Sequence, residues 1–430
     1  MKQIDFITKK LSVDFFDAQL VQQTEKFPIV YKGCAHVYSK GDDVFVKMYT
    51  QTASPEQEID LMYMGRPFGT LISKDEYFKF VGEDFNGNTW EADDIRVNGK
   101  SQTDHEKGVK IIETKVPKIR QVRKVGMARW RRYWVKGNID LPARGRSEQE
   151  GAVCCRLCVD KGQLVLKNEG DITLILVDEA IDEGSDEVIL EALSIALGKD
   201  CAWSLKECKK ELVYWSGRQD YVEDRLLAPF NMYPYRINDF ERFIKCYLKC
   251  NHDKIKEFYD RWGILLNSSR SFIDLKALSV ASVVEGVAAK LYGDVSVSKD
   301  EKDSINKIEE YILQDEFLST EWKERIQGML KNAKNPKQSN AGILHELRKN
   351  KVITQKDITS WGALRNRLAH GKLSEWHRGK KQKTLNDYFT CLHLLYVLLF
   401  NYIGYEGLHR DYSQPGFPEA EFSFCKLPLS

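Results

Sequence analysis

Leu227-Ala228-Pro229-Phe230-Asn231-Met232-Tyr233-Pro234 divides the chain into two patterns. Proline lacks an N–H and crowds the preceding turn, so a pair this close reads as a connector. On its N-terminal side, apolar and aromatic residues come in short runs at 27–30, 44–47, 109–113, 152–159, 163–166 and 173–177. Turn residues separate them, as in Lys40-Gly41-Asp42-Asp43 and Asn86-Gly87-Asn88. Short β-branched and aromatic runs punctuated this way predict a β-rich sandwich or barrel. One helix is expected inside it, at 186–197 (DEVILEALSIAL), with Gly198 as its stop.

On the C-terminal side the period becomes helical. Asn238-Asp239 is read as the cap of a helix running through FERFIKCYLKC. Further helices are expected at 271–292, 299–315, 319–332, 341–350, 354–370 and 385–404, with a polar loop at 332–340. The stretch after Tyr412 contains Pro415 and Pro418 and is expected to be irregular. The predicted class is therefore α+β. A β-rich domain at 1–225 precedes an all-α bundle at 236–412 and a tail at 413–430.

Composition fits that division. A chain of 430 residues, 42% hydrophobic and 30% charged, has material for two or three globular cores. A net charge of +2 gives no whole-chain attraction for a polyanion, so any nucleic-acid surface must come from local clustering. The start, MKQIDFITKKLSVDFF, lacks the apolar run of a secretory signal, and ten cysteines without one fit a reducing cytoplasm. Residues 388–405 (YFTCLHLLYVLLFNYIGY) carry no Asp, Glu, Lys or Arg, yet they include His393 and Asn401 and stand alone. They are read as a central bundle helix, with no membrane partner. No G-x-x-x-x-G-K-[ST], H-E-x-x-H or G-x-S-x-G occurs, which removes the usual support for phosphate-loop, zinc-protease and serine-hydrolase readings.

The most chemical stretch is 352–373, VITQKDITSWGALRNRLAHGKL. On a helix ending at Gly371, Asn366 and His370 are i, i+4 neighbours, and the long side chain of Arg365 reaches the same pocket. A histidine exchanges protons near neutral pH, an arginine clamps a phosphate through paired hydrogen bonds, and an asparagine orients either. RNA supplies its own nucleophile, the ribose 2′-hydroxyl, so no metal or cofactor is required. Spacing alone also fits an ordinary helix end, where Arg and His offset the dipole.

Leu364-Arg365-Asn366-Arg367-Leu368-Ala369-His370-Gly371, preceded by Trp361 and followed by an apolar helix, resembles the HEPN superfamily, in particular the HEPN domains of ApeA-type abortive-infection proteins. The likeness spans roughly 236–408. It includes SFIDLKALSVASVVEGVAAKLY, whose Glu285 matches an acidic position in the helix that packs on the motif helix. The resemblance implies a bundle that dimerises around the motif to form a metal-independent endoribonuclease. Arg365 and His370 would be the catalytic pair, Asn366 the polar supporting residue, and Arg367 and Glu285 secondary supports. It also implies anti-phage defence, with the N-terminal domain sensing a phage-derived trigger or restraining the nuclease. Some HEPN domains only bind or scaffold, so a silent interaction module is the alternative, as is a partner of a nucleotidyltransferase.

Residues 115–136 (KVPKIRQVRKVGMARWRRYWVK) hold nine Lys or Arg and no acid. Lys124, Arg129, Trp130, Arg131 and Arg132 are the candidate RNA contacts, because cations neutralise phosphates while aromatics stack on unpaired bases. The same pattern fits a strand face with core aromatics, or a surface for an acidic partner. Cys154-Cys155-Arg156-Leu157-Cys158 holds one C-x-x-C, and a four-ligand zinc site would need Cys201 and Cys208, whose spacing is not diagnostic. A strand with buried thiols is the simpler reading. Cys246, Cys250 and His252 form a weaker cluster, and Glu83, Asp84, Glu91, Asp93 and Asp94 surround Trp90 beside a turn. No metal is assigned to any of these.

Overall fold

The computed structural model describes residues 11–25, 27–41, 43–51, 73–97, 101–104, 108–122, 129–142, 154–159, 161–209, 211–215, 225–293, 299–314, 317–334, 339–369 and 378–426. An N-terminal antiparallel β-sheet is followed by a C-terminal helical region, so the chain is α+β. Contacts divide it into two units, Met1–Asp186 with Cys201–Glu223, and Glu187–Asp200 with Asp224–Ser430.

The first unit contains strands β1 (Ser12–Gln22), β2 (Val30–Lys40), β3 (Asp43–Gln51), β4 (Phe78–Asp84), β5 (Thr89–Ile95), β6 (Ser101–Asp104), β7 (Val109–Val116), β8 (Lys118–Val122), β9 (Trp130–Lys136), β10 (Cys154–Val159), β11 (Gly162–Glu169), β12 (Ile172–Asp178), β13 (Trp203–Glu207) and β14 (Glu211–Trp215). They pair in one 14-stranded sheet, β10-β11-β12-β9-β13-β14-β8-β5-β4-β1-β2-β3-β7-β6. Pairing is thus continuous rather than divided into the two sheets of a sandwich. Alternation drives the packing. In β4, Phe78, Phe80, Gly82 and Asp84 turn inward while Lys79, Val81 and Glu83 do not. Phe15 sits edge-on to Phe80, with ring centroids 5.3 Å apart, and to Trp90 at 6.0 Å. The expected strand at 27–30 begins only at Val30; Phe27 adopts φ 50° and is exposed.

The second unit contains α1 (Asp186–Leu197, from Glu187 on), α2 (Ile237–Leu248), α3 (His252–Asn267), α4 (Ile273–Tyr292), α5 (Lys299–Gln314), α6 (Thr320–Lys334), α7 (Asn340–Lys349), α8 (Gln355–Ala369) and α9 (Arg378–Ile403). The sequence places α1 within the β-rich part. Its residues 188–196 are buried on every side, which a helix at the edge of a sheet cannot achieve, and they are counted in the helical unit. Gly198 ends α1 at φ 65°, with Leu226 O 2.3 Å from where a Cβ would stand. Helix α2 begins at Ile237 with no side-chain cap, and Asp239 lies inside its first turn instead of capping it. Helix α3 was not anticipated; Asn251 caps it, accepting from the backbone N–H groups of Asp253 and Lys254. Among the described residues no helix is long and apolar enough to cross a membrane; α9 instead buries Leu392, Leu395, Leu398 and Leu399 in the bundle.

The tail is not wholly irregular. Strand β16 (Glu419–Phe422) pairs antiparallel with β15 (Gly407–Arg410). Four residues are too few to show a period, so the pairing was invisible to pattern reading. It is held through Glu419, whose carboxylate accepts from Asn231 and from Arg236 Nε at 2.9 Å.

Candidate active site

Helix α8 carries the motif, and its start is locked. Thr354 N and Oγ1 each donate to Asp357 Oδ2 at 2.7 Å, and Asp357 N donates back to Thr354 Oγ1 at 3.3 Å. This is a capping box with Asp in the reciprocal position. From that fixed phase, Ile358, Trp361 and Leu364 turn into the bundle. Trp361 Nε1 donates to Ala281 O of α4 at 3.2 Å, and Ser360 Oγ donates to Asp387 Oδ1 of α9 at 3.0 Å. With that face committed, Arg365 and Asn366 are left on the exposed side.

Arg365 is nevertheless placed. Its guanidinium carbon stands 5.5 Å from the centroid of the Trp361 ring, and its Nε lies 3.2 Å from Glu285 Oε2 on α4. Asn340, the first residue of α7, donates to Glu285 Oε1 at 2.6 Å. The carboxylate is therefore held from two helices while it orients the arginine. The Arg365 side chain remains 52% exposed, so donors of its planar fork are left for an anion. His370 lies outside the described residues, as does the side chain of Arg367. Asn340 was missed in the sequence, where it closes a polar loop and nothing marks it as a partner of Glu285.

Beside this group runs a stripe on α4 whose apolar end is uncovered among the described residues. Leu275, Leu278, Ser282, Glu285 and Ala289 recur on α4 with the 3-4 alternation of a coiled-coil seam. Phe272, Leu275 and Leu278 are 85%, 47% and 40% exposed, so the apolar end of the stripe faces solvent and its other end meets Arg365.

The basic segment fares differently. Arg131 is not a surface residue: its side chain is 3% exposed and grips Asp186 through Nε and Nη2, both at 2.7 Å. Tyr133 donates to the same carboxylate, and burial raises its hydroxyl far above the ordinary range. Arg132 pairs with Glu207 at 3.0 Å, Lys115 with Asp43 at 2.6 Å, and Arg120 with Glu91. Strand pairing brings acids from distant sequence beside these cations, and Arg131 is thereby buried rather than offered to RNA. Arg129 stacks on Trp130 at 5.2 Å and stays exposed. Lys124 lies outside the described residues.

The remaining clusters resolve into structure. Asp84 Oδ1 accepts from the backbone of Asn86 and Asn88 at 2.8 and 2.9 Å, and its Oδ2 accepts from Trp90 Nε1 at 3.0 Å. Burial opposes its charge, but these bonds together hold its carboxyl below the usual range. The acid thus builds the Asn86-Gly87-Asn88 turn. Cys155 and Cys158 are three apart on β10, so they point to opposite faces, one buried and one exposed. Burial pushes the Cys250 thiol up to about 11, and its Sγ lies 3.4 Å from Cys246 O. Among the described residues no group of three or more His, Cys, Asp or Glu is disposed to hold a metal ion.

Two titratable sites were not anticipated. Glu191 on α1 is buried, 3.4 Å from Lys256 Nζ on α3. Burial pushes its carboxyl up to about 7, although Lys256 pulls the other way. His393 of α9 stacks on His409 of β15, with centroids 5.3 Å apart, and burial drives His409 down to about 4. Neither shows in a sequence without knowledge of packing.

No family model, curated protein or solved structure matches this chain.

Proposed function

We propose that the helical unit is a metal-independent endoribonuclease of the HEPN type that acts as a homodimer. The observation that carries this reading is the placement of Arg365. It is exposed, adjoins Asn366, is oriented by Glu285 and Trp361, and borders an apolar stripe suited to a second copy. In this reading His370 takes the proton from the ribose 2′-hydroxyl as it attacks the adjacent phosphorus, and a proton is returned to the departing 5′-oxygen. Arg365 stabilises the charge that develops on the phosphoryl oxygens, where a fixed cation acts most strongly. The products are a 2′,3′-cyclic phosphate and a 5′-hydroxyl.

By the same resemblance, the function is abortive-infection defence in the cytoplasm, with the β-rich unit sensing a phage-derived trigger. Induced expression of the wild type beside His370→Ala, followed by sequencing of RNA ends, tests the core of the reading. Growth arrest with new 5′-hydroxyl ends in the wild type alone is expected. Identical RNA ends in both strains, with and without phage infection, would leave a silent interaction module.

A further inference from the structure

Helices α5 and α6 pack on each other as a hairpin, with Lys323 Nζ donating to Leu313 O at 3.0 Å. Among the described side chains of this hairpin none is buried. Its sequence is nonetheless amphipathic. Ile308 and Tyr311 on α5 are 49% and 77% exposed, and Trp322 and Met329 on α6 are 56% and 63% exposed. Helices of about 15 residues are marginal in water unless an apolar face is packed. A pair with no fully buried side chain among the described residues gains stability from a further surface.

The geometry of that surface follows from the helical period. Ile305 and Ile312 on α5, and Ile326 and Leu330 on α6, are partly covered and mark the seam between the helices. At about 100° per residue, Ile308 and Tyr311 stand roughly a quarter turn to one side of the seam. Trp322 and Met329 stand about a quarter turn from it in the same rotational sense. Because the helices are antiparallel, this brings all four onto one face of the hairpin.

We propose that this face docks against the same face of a second copy of the chain and closes a four-helix bundle. Charge argues for that occupant and fixes its orientation. Helix α5 carries five acidic and three basic residues, whereas α6 carries two acidic and four basic. A two-fold axis along the helices lays α5 of each copy antiparallel over α6 of the other, matching the acidic helix to the basic one. The perpendicular two-fold would lay like over like. The chosen arrangement also opposes every neighbouring helix dipole, and as an isologous contact it closes on itself. The inference shares with the ribonuclease reading only the presence of a second copy, and it uses a surface distinct from the α4 stripe.

Sedimentation of the full chain tests it. The wild type is expected to dimerise at micromolar concentration, and Ile308→Asp with Trp322→Asp is expected to raise the dimer Kd by roughly tenfold or more. A monomeric wild type, or an unchanged Kd in a folded variant, overturns the proposal. If the aspartates unfold the hairpin, mixing a Tyr311→Cys chain with a Trp322→Cys chain under mild oxidation decides. A 311–322 disulfide between chains supports the arrangement, and its absence, or 311–311 and 322–322 pairs alone, refutes it. Leu275→Asp with Leu278→Asp separates the two interfaces. Loss of the dimer in that variant, with the hairpin variants unaffected, would remove the hairpin contact and leave the α4 reading standing.

Discussion

Glu285 Oε2 lies 3.2 Å from Nε of Arg365, joining residues 80 positions apart in sequence on two packed helices. Asn340 braces the same carboxylate. Arg365 is half exposed and Glu285 is partly so, and a pair open to water contributes about 1 kcal/mol or less to stability. Its value is geometric. Glu285→Gln is therefore expected to leave the unfolding midpoint nearly unchanged while lowering kcat for RNA cleavage by about tenfold, with KM shifting less. Equal kcat in both proteins would show that the carboxylate does not position Arg365 for chemistry.

Arg131 and Asp186 form a buried pair with two close contacts. Removing one partner strands the other charge away from water. Arg131→Ala is expected to destabilise the first unit by about 3–5 kcal/mol, read from denaturant titration. A change below about 1 kcal/mol would mean that water reaches the site.

Arg129 and Trp130 retain the chemistry of a nucleic-acid contact, a cation on an aromatic ring at an exposed position. Arg129→Ala with Trp130→Ala is expected to weaken binding to single-stranded RNA and to reduce the salt slope of log Kd by about one. Unchanged affinity and slope would assign these residues to the sheet alone.

Glu191 predicts an unusual pH dependence. Its folded-state value, about 7, lies above its ordinary value of 4.5. Its contribution to stability is therefore fully present below pH 4.5 and is lost as pH rises through about 7. Glu191→Gln keeps the shape and removes the titration. At pH 8 the variant should be more stable than the wild type by about 2 kcal/mol, and the gap should close below pH 5 or so. Parallel stability curves across that range would contradict the assignment.

The two-part organisation was legible because its signals are local. The period switches from strand-like to helical at Pro229 and Pro234, and most of the helices follow from apolar spacing and caps to within a few residues of their observed ends. Helix α3 lies outside the expected helices although the Asn251 cap and the spacing of Ile255, Phe258, Trp262 and Leu266 mark it. The long strands β1 and β2 mix buried, half-buried and exposed positions without strict alternation, so a short window does not mark them. Arg131 shows the deeper limit. Nothing within 115–136 reveals that Asp186 will neutralise it, since sheet pairing and the turn before α1 decide that. Arg365 was legible as a candidate, and Glu285 as its neighbour only through a family likeness.

The membership of α1 bears on any attempt to divide the protein. The chain leaves the first unit at Asp186, contributes residues 187–200 to the second, returns at Cys201 and leaves again at Glu223. A fragment that begins at the proline connector lacks a helix whose Val188, Ile189, Leu193 and Ile195 are core residues. It would expose the apolar surface they cover and leave Lys256 without Glu191. A protease cut near residue 225 should thus yield two pieces that stay associated under native conditions. Separate expression of the C-terminal piece should give an aggregating product, and adding back the stretch 186–200 should rescue it as a peptide in trans.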